Sequence, residues 1–288
     1  MVISSSKYIV GTEEVNGNLQ IAGVNRTSYM TQEYLRLVSD YLKSIRISGK
    51  VALLIAAGPA IHHSENRVVD DEYVSGSVVI KSQLGYSTYA IAKALGVDFE
   101  YININGNTCA SSAHSVNEAY SLIHRDDYDH VVVVAMEQTE ASQLLLFKQL
   151  NIELKCGDGL AIAVFSKEAV GAEITSTAFT WYREGHPMYV SKDGYVSLIN
   201  KLVINANVNI VKTHGTGTGV NEIAERDAIA ECFNDVKVLG YKDRIGHTQG
   251  ASSLIELLML VEDMTEGDSA VVLASGLGGF YGGCTVSK

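Results

Sequence analysis

Residues 98–124 read DFEYININGNTCASSAHSVNEAYSLIH, and this stretch decides what kind of fold the chain can have. Asp98 to Asn105 alternates apolar and polar positions as a half-buried strand does, and Gly106 interrupts the alternation. From Cys109 to His124 apolar residues return at Ala113, Val116, Ala119, Tyr120 and Ile123, the spacing of one helix face. A strand that passes into a helix through a glycine-marked turn is the building unit of an α/β fold. The turn also aims backbone N–H groups and a helix N-terminus at whatever lies beyond the strand end.

The same alternation runs outward in both directions. Upstream, Tyr29 to Ile45 has helical spacing, Val51 to Ala57 is a buried strand closed by Gly58-Pro59, and Ser87 to Leu95 is a short helix stopped by Gly96. Downstream, Val131 to Met136 and Gly159 to Ser166 are strands with continuous apolarity, which strands covered on both faces require. After about residue 166 the order resumes: strand Asn209–Thr213, helix Asn221–Phe233, strand Val236–Gly240, helix Ala251–Met264 and strand Ser269–Ser275. The expectation is an α/β protein of two similar halves, residues 1–166 and 167–288. No linker composition separates them, so one layered body is expected.

Composition narrows the class. The 288 residues are 47% hydrophobic, ample for a large core, yet apolar runs stop at about seven residues, far short of the ~18–20 of a membrane span. The start of the chain has neither the basic nor the apolar region of a signal peptide. Four cysteines in a chain this long make no disulfide framework, which fits a reducing cytoplasm. A net charge of −11 argues against nucleic acid as a partner, because such proteins carry a basic footprint.

Three glycine-marked strand ends carry the candidate chemistry. At Asn105-GNTCASSAH, Cys109 sits where a helix N-terminus favours thiolate and should lower the thiol below ~8.5; a buried structural cysteine is the plain alternative. At Val211-KTHGTGTGVNEIAERD, the glycines at 215, 217 and 219 give GxGxG, which fits neither a dinucleotide nor a phosphate loop. His214 lies just past that strand. Gly240-YKDRIGHTQGASS repeats the design with His247, five residues after Lys242. Each signal is weak alone, but open α/β sheets bind ligands at the carboxyl ends of their strands, so the three are expected to converge. Ser275-GLGGFYGGC is a glycine-dense stretch that lets backbone approach a reacting group, or simply a tight turn between strands. His62-His63, His114, His124, His130, Cys156, Cys232 and Cys284 show no metal-ligand spacing, and the acidic pairs at 13–14, 70–72 and 126–127 read as solvated loops.

Together the junctions resemble the motifs of β-ketoacyl synthases. NTCASS resembles the nucleophile motif, HGTGT at His214–Thr218 matches the first histidine motif, and Ile245-GHTQGA matches the second. Glu222 and Glu225 fall where that family has Asp and Glu, Lys242 falls on its lysine, and Cys156-GDGLAIAVF resembles the strand closing its N-terminal half. The Cys-His-His set is similar to the elongating type. Asp243-Arg244 and Gly279-FYGG depart from the family's pattern, and the chain is short before Cys109 and between Met136 and Cys156.

The resemblance implies a thiolase-like fold, two pseudo-duplicated βαβ halves in a five-layered body, usually a dimer with itself or with another ketosynthase-like subunit. It implies a decarboxylative Claisen condensation fed by an acyl carrier protein, whose phosphopantetheine arm is the only prosthetic group involved; no metal or cofactor of the chain's own is expected. Cys109 would carry the acyl group, and His214 and His247 would promote decarboxylation. Lys242 and Glu225 would order the polar cluster. The Cys109 N–H and one near Phe280 would form the oxyanion hole, with Phe280 beside the substrate and Thr216 and Thr218 offering hydroxyls to the arm. Two alternatives stand beside this: an acyltransferase that does not decarboxylate, and a chain-length-factor-like partner, against which Cys109 counts.

Overall fold

A computed structural model describes residues 1–15, 17–22, 32–57, 84–139, 141–149, 152–183, 186–204 and 207–288. Gly58-Pro59, His62-His63 and the acidic residues 70–72 lie outside the described residues. The first half supplies β1 (Val2–Val10), the hairpin β2 (Glu13–Val15) and β3 (Asn18–Gln20), α1 (Gln32–Ser44) and β4 (Val51–Ala57). It continues with α2 (Leu84–Leu95), β5 (Tyr101–Asn105), a 3-10 turn at Thr108–Ala110, α3 (Ser111–His124), β6 (His130–Glu137), α4 (Ala141–Gln149) and β7 (Gly159–Ser166). The second half supplies β8 (Glu173–Trp181), α5 (Lys192–Leu202), β9 (Ile210–Lys212), α6 (Gly219–Cys232) and β10 (Lys237–Leu239). Then follow α7 (Lys242–Ile245), a 3-10 turn at Gln249–Ala251, α8 (Ser252–Asp263), β11 (Ser269–Gly276) and β12 (Phe280–Ser287).

Ten strands join in the order β10-β9-β11-β12-β8-β1-β7-β6-β4-β5. Setting the hairpin aside and numbering strands within each half, both halves run 1-5-4-2-3 from the shared centre outward. The pairing repeats as well: the first two contacts are antiparallel and the last two parallel in each half. A single residue pair, Val2 with Glu173, joins the two half-sheets.

Apolar patterning explains the layering. Along β4, Ala52, Leu54 and Ala56 enter one core and Val51, Leu53, Ile55 and Ala57 the other, so an unbroken apolar run is what two covered faces demand. The central layer is α3 and α8, which pack on each other; α3 also meets β4, β6, β8 and β12, and α8 meets β1, β7 and β11. Ser252 to Leu260 of α8 are all buried, as a helix covered on every side requires. Helices α1 and α2 cover the outside of the first half-sheet, and α5 and α6 cover the second. The body is therefore α-β-α-β-α. No helix among the described residues is long and apolar enough to cross a membrane.

Candidate active site

The two central helices begin at matching places, and the site lies between their N-termini. Each is preceded by a 3-10 turn that opens on a non-glycine residue with positive φ: Thr108 at 51° before α3, Gln249 at 44° before α8. Such a conformation is costly for a side-chain-bearing residue and persists where the surroundings enforce it. At the first turn the enforcement is visible. The Ser111 hydroxyl donates to the Thr108 carbonyl (2.6 Å), and Gly276 of β11 presses against the turn from behind. The bend brings Cys109 to the wall of a cavity of about 50 Å³. His214, Thr216, Asn221, Ser275, Gly276 and Tyr281 share that wall.

His214 follows β9, and its position is set by two backbone anchors. Glu225, buried on α6, accepts the N–H groups of His214 (2.5 Å) and Gly215 (2.9 Å). Lys242 donates its ammonium to the His214 carbonyl (2.5 Å) and to Glu256 of α8 (2.6 Å). His247 is held differently. Its N–H donates to the Lys155 carbonyl (2.7 Å) and its carbonyl accepts from Gly157 (3.1 Å), a ladder that ties the Cys156-Gly157 segment to the second half. Gly157 and Gly246 meet there so closely that a Cβ on either would strike backbone. The two imidazoles stand 5.4 Å apart, edge to face. His247 Nδ1 accepts the Gln249 N–H (2.9 Å), so the neutral ring carries its proton on Nε2. His214 Nδ1 is buried and meets no partner among the described residues.

Burial and two lysines set the electrostatics. Both histidines are pushed well below their ordinary value, first by burial and then by the Lys242 charge, with Lys212 adding to both. They are neutral at physiological pH and can donate a hydrogen bond to developing negative charge, as neutral imidazoles do. Burial also pushes Glu225 up, against the pull of its two N–H donors. The Cys109 thiol corrects the sequence expectation. Burial pushes it up to about 12, and the opposing Lys242 charge and its own backbone do not compensate. The resting group is a thiol whose Sγ faces Gln249 Oε1 at 3.7 Å; the Gln249 amide in turn faces Cys156 Sγ at 3.8 Å.

The remaining predicted residues divide. A cleft of about 510 Å³ lies beside the cavity, lined by His247, Lys242, Glu222, Lys155 and Thr213, and Thr216 lines both spaces. Thr218 borders neither but shares a hydrogen bond with the Thr216 hydroxyl (2.8 Å). Phe280 does not line the cavity. Strand residues alternate faces, so its ring stacks on Phe179 (5.9 Å between centroids) while Tyr281 faces the site. Tyr281, Gln249, Asn221, Ser275, Lys212 and Glu256 were not read from the sequence. Spacing along the chain carries no signal for groups that meet only in space, although Gln249 lies inside the second histidine motif.

A thiol, two neutral imidazoles and a lysine thus gather at the carboxyl ends of the strands of a pseudo-duplicated sheet, in a body of thiolase-like fold. The comparisons with known proteins agree: residues 189–273 match the family "Beta-ketoacyl synthase, C-terminal domain", and the chain has the ketosynthase fold. A non-reducing polyketide synthase of Aspergillus terreus is 32% identical over 120 residues, 38% of this chain and 4% of that one. A chloroplastic 3-oxoacyl-[acyl-carrier-protein] synthase II of Arabidopsis thaliana is 28% identical over 136 residues, 44% of this chain and 24% of that one. The matched stretches thus span a quarter or less of these relatives. A solved type II polyketide synthase complex, described as an acyl-carrier protein with its ketosynthase, superposes with a TM-score of 0.80 at 14% identity. That match covers 99% of this chain and 98% of the solved one.

Proposed function

We propose that the chain is a β-ketoacyl-acyl carrier protein synthase, joining an acyl group on Cys109 to the two-carbon unit left when a malonyl thioester loses carbon dioxide. The observation that supports it most directly is the meeting of Cys109 and His214 at one cavity, with His247 and Lys242 adjoining. Cys109 Sγ attacks the carrier thioester, the carrier's C–S bond breaks, and the thiol proton passes by way of His214 to the departing carrier thiol. The malonyl thioester then binds with its carbonyl oxygen toward the histidines. Its carboxylate leaves as carbon dioxide, and the electron pair remains as an enolate that accepts hydrogen bonds from the neutral rings. The enolate carbon attacks the acyl carbonyl, the bond between the acyl carbon and Cys109 Sγ breaks, and the released thiolate takes a proton from solvent.

Lys242 and Glu225 act on the histidines by holding the His214 backbone, and Thr216, on the wall between cavity and cleft, offers its hydroxyl to the incoming arm. The phosphopantetheine arm arrives on an acyl carrier protein, and a second ketosynthase-like subunit, identical or not, completes the working dimer. The solved neighbour described with its acyl-carrier protein supports the choice of partner. The test is acylation followed by decarboxylation. Incubation with acyl-loaded carrier should add one acyl mass to the intact protein but not to Cys109→Ala. Malonyl carrier should then release carbon dioxide, strongly suppressed in His247→Ala. Labelling that survives Cys109→Ala sinks the proposal, and labelling without carbon dioxide release points to an acyltransferase instead.

A further inference from the structure

Beneath the histidine pair Lys242 joins a buried ion network whose other two members the proposed chemistry does not use. Lys212 of β9 and Glu256 of α8 are both wholly inaccessible and form an ion pair. Glu256 divides its carboxylate, giving Oε2 to Lys212 and Oε1 to Lys242 (2.6 Å). Lys212 also lies 3.4 Å from the Leu273 carbonyl of β11. An ammonium has three donors. The His214 carbonyl and Glu256 take two of Lys242's, and the third remains for whatever enters the cleft that Lys242 lines. Burying three charges costs several kcal/mol per ion before pairing, and a buried pair is weak evidence of stabilisation by itself. The network therefore calls for a reason other than stability.

We propose that Lys212 and Glu256, although neither reaches the cavity or the cleft, are positioning residues of the site: they fix the Lys242 ammonium under the His214 carbonyl and set the net charge around His214 and His247. The proposal rests on the reading of those histidines given above. Charge arithmetic gives it a sign. Lys212, Lys242 and Glu256 sum to +1. Lys212→Met leaves 0, Glu256→Gln leaves +2 with two ammoniums side by side, and the double variant returns to +1. The other groups facing this network are Glu225 of α6, committed to the His214 and Gly215 N–H groups, the Tyr241 hydroxyl, and the thiols of Cys109 and of Cys284 on β12. None of them is substituted in these variants.

The experiment follows the histidine rings by NMR through a pH titration of the intact protein labelled at histidine, with thermal unfolding measured alongside. In the wild type the two rings should titrate well below the ordinary histidine value. Lys212→Met should raise both midpoints by about one unit, a tenfold change in the protonated fraction at fixed pH, and the double variant should return them toward wild type. Glu256→Gln should be the least stable of the set, and adding Lys212→Met should restore part of the loss, the non-additivity expected of two members of one ion network. If Glu256→Gln fails to fold, Lys212→Met and the double variant still carry the test. Unmoved ring midpoints in folded Lys212→Met, or a double variant no better than Glu256→Gln, would overturn the proposal. No substrate enters these readouts, so their failure removes the role of the pair alone. Absent carbon dioxide release with the shifts present removes the condensing reading instead.

Discussion

Gly276→Ala adds one methyl group to the strand that backs the nucleophile turn. Its Cβ would stand 2.5 Å from Thr108 Oγ1, 2.6 Å from the Asn107 carbonyl oxygen and 3.1 Å from the Ala110 nitrogen. Ordinary contacts are about 3.5–4.0 Å, so something must retreat by roughly 1 Å. Thr108 can rotate its hydroxyl, which is buried without a partner among the described residues, but the other two obstacles are backbone. They flank Cys109 on both sides, so the turn moves and the sulfur moves with it. Overpacking of this kind costs about 1–3 kcal/mol in stability. A shift of about 1 Å at a reacting group costs about a hundredfold in rate. The expected result is a small fall in unfolding temperature with a fall of about two orders of magnitude in Cys109 acylation. Gly106→Ala is the matched control: it lies in the same loop, its Cβ meets nothing within 4 Å, and its acylation should stay near wild type. The assay is intact-protein mass spectrometry of acyl transfer from a loaded carrier, with thermal unfolding of each variant. Wild-type acylation in a folded Gly276→Ala protein would refute the claim that β11 enforces the turn.

Other expectations follow from the same geometry. With its thiol pushed up to about 12, Cys109 should be alkylated by iodoacetamide at a rate that keeps climbing to pH 10; a plateau near pH 8 would restore the thiolate that the helix N-terminus alone suggests. His214 and His247, both held below their ordinary value, bind fewer protons folded than unfolded, so stability rises with pH through that window and is lost as pH falls below about 6.5. His214→Asn should flatten the acid limb of a plot of unfolding temperature against pH, and an unchanged limb would count against the assignment. Glu225→Ala orphans two N–H groups at the His214 turn, each worth about 1–3 kcal/mol, whereas Glu225→Gln keeps an acceptor and should lose less in thermal unfolding.

What the sequence disclosed follows from which forces act locally. The strands β4, β6 and β7 stand out as apolar runs because both their faces are covered, and α3 and α8 stand out because each follows a glycine-marked strand end. Strand β12 was implied only by the reading of Ser275-GLGGFYGGC as a tight turn between strands: Gly282 and Gly283 lack side chains because Cβ atoms there would strike Ala113 and the Val272 carbonyl, and glycine carries no strand signal. Helix α5 and strand β8 were missed. In β8 the buried Ile174 and Ala178 are separated by residues that are only half-buried or exposed, which blurs the period. In the site, Cys109, His214, His247 and Lys242 were legible because each sits at or near a strand end, whereas Glu225, inside α6, was singled out by the family resemblance alone. Lys212 and Glu256 were not, since one is a lysine within a strand and the other a glutamate within an apolar helix, and only the fold brings them together.

The repeated topology gives the two halves matching central helices, with Cys109 in one half and His214 and His247 in the other. Both central helices start from the same strained turn, so the fold builds two equivalent sets of N–H groups. Taking Thr108 and Gln249 as equivalent places Cys109 opposite Gly250. The Gly250 N–H is taken up by the buried carboxylate of Glu137 at 3.1 Å, which fills that turn with the protein's own acceptor. At Cys109 the residue instead borders open space, and its side chain is the one the cavity exposes. Glu137 therefore does two things: it closes the second turn, and its charge helps keep the Cys109 sulfur protonated. Duplication supplied two sites of the same shape, and a single carboxylate makes them unlike. Filling one of them closes the turn at Gly250, while the other leaves Cys109 on the wall of the cavity.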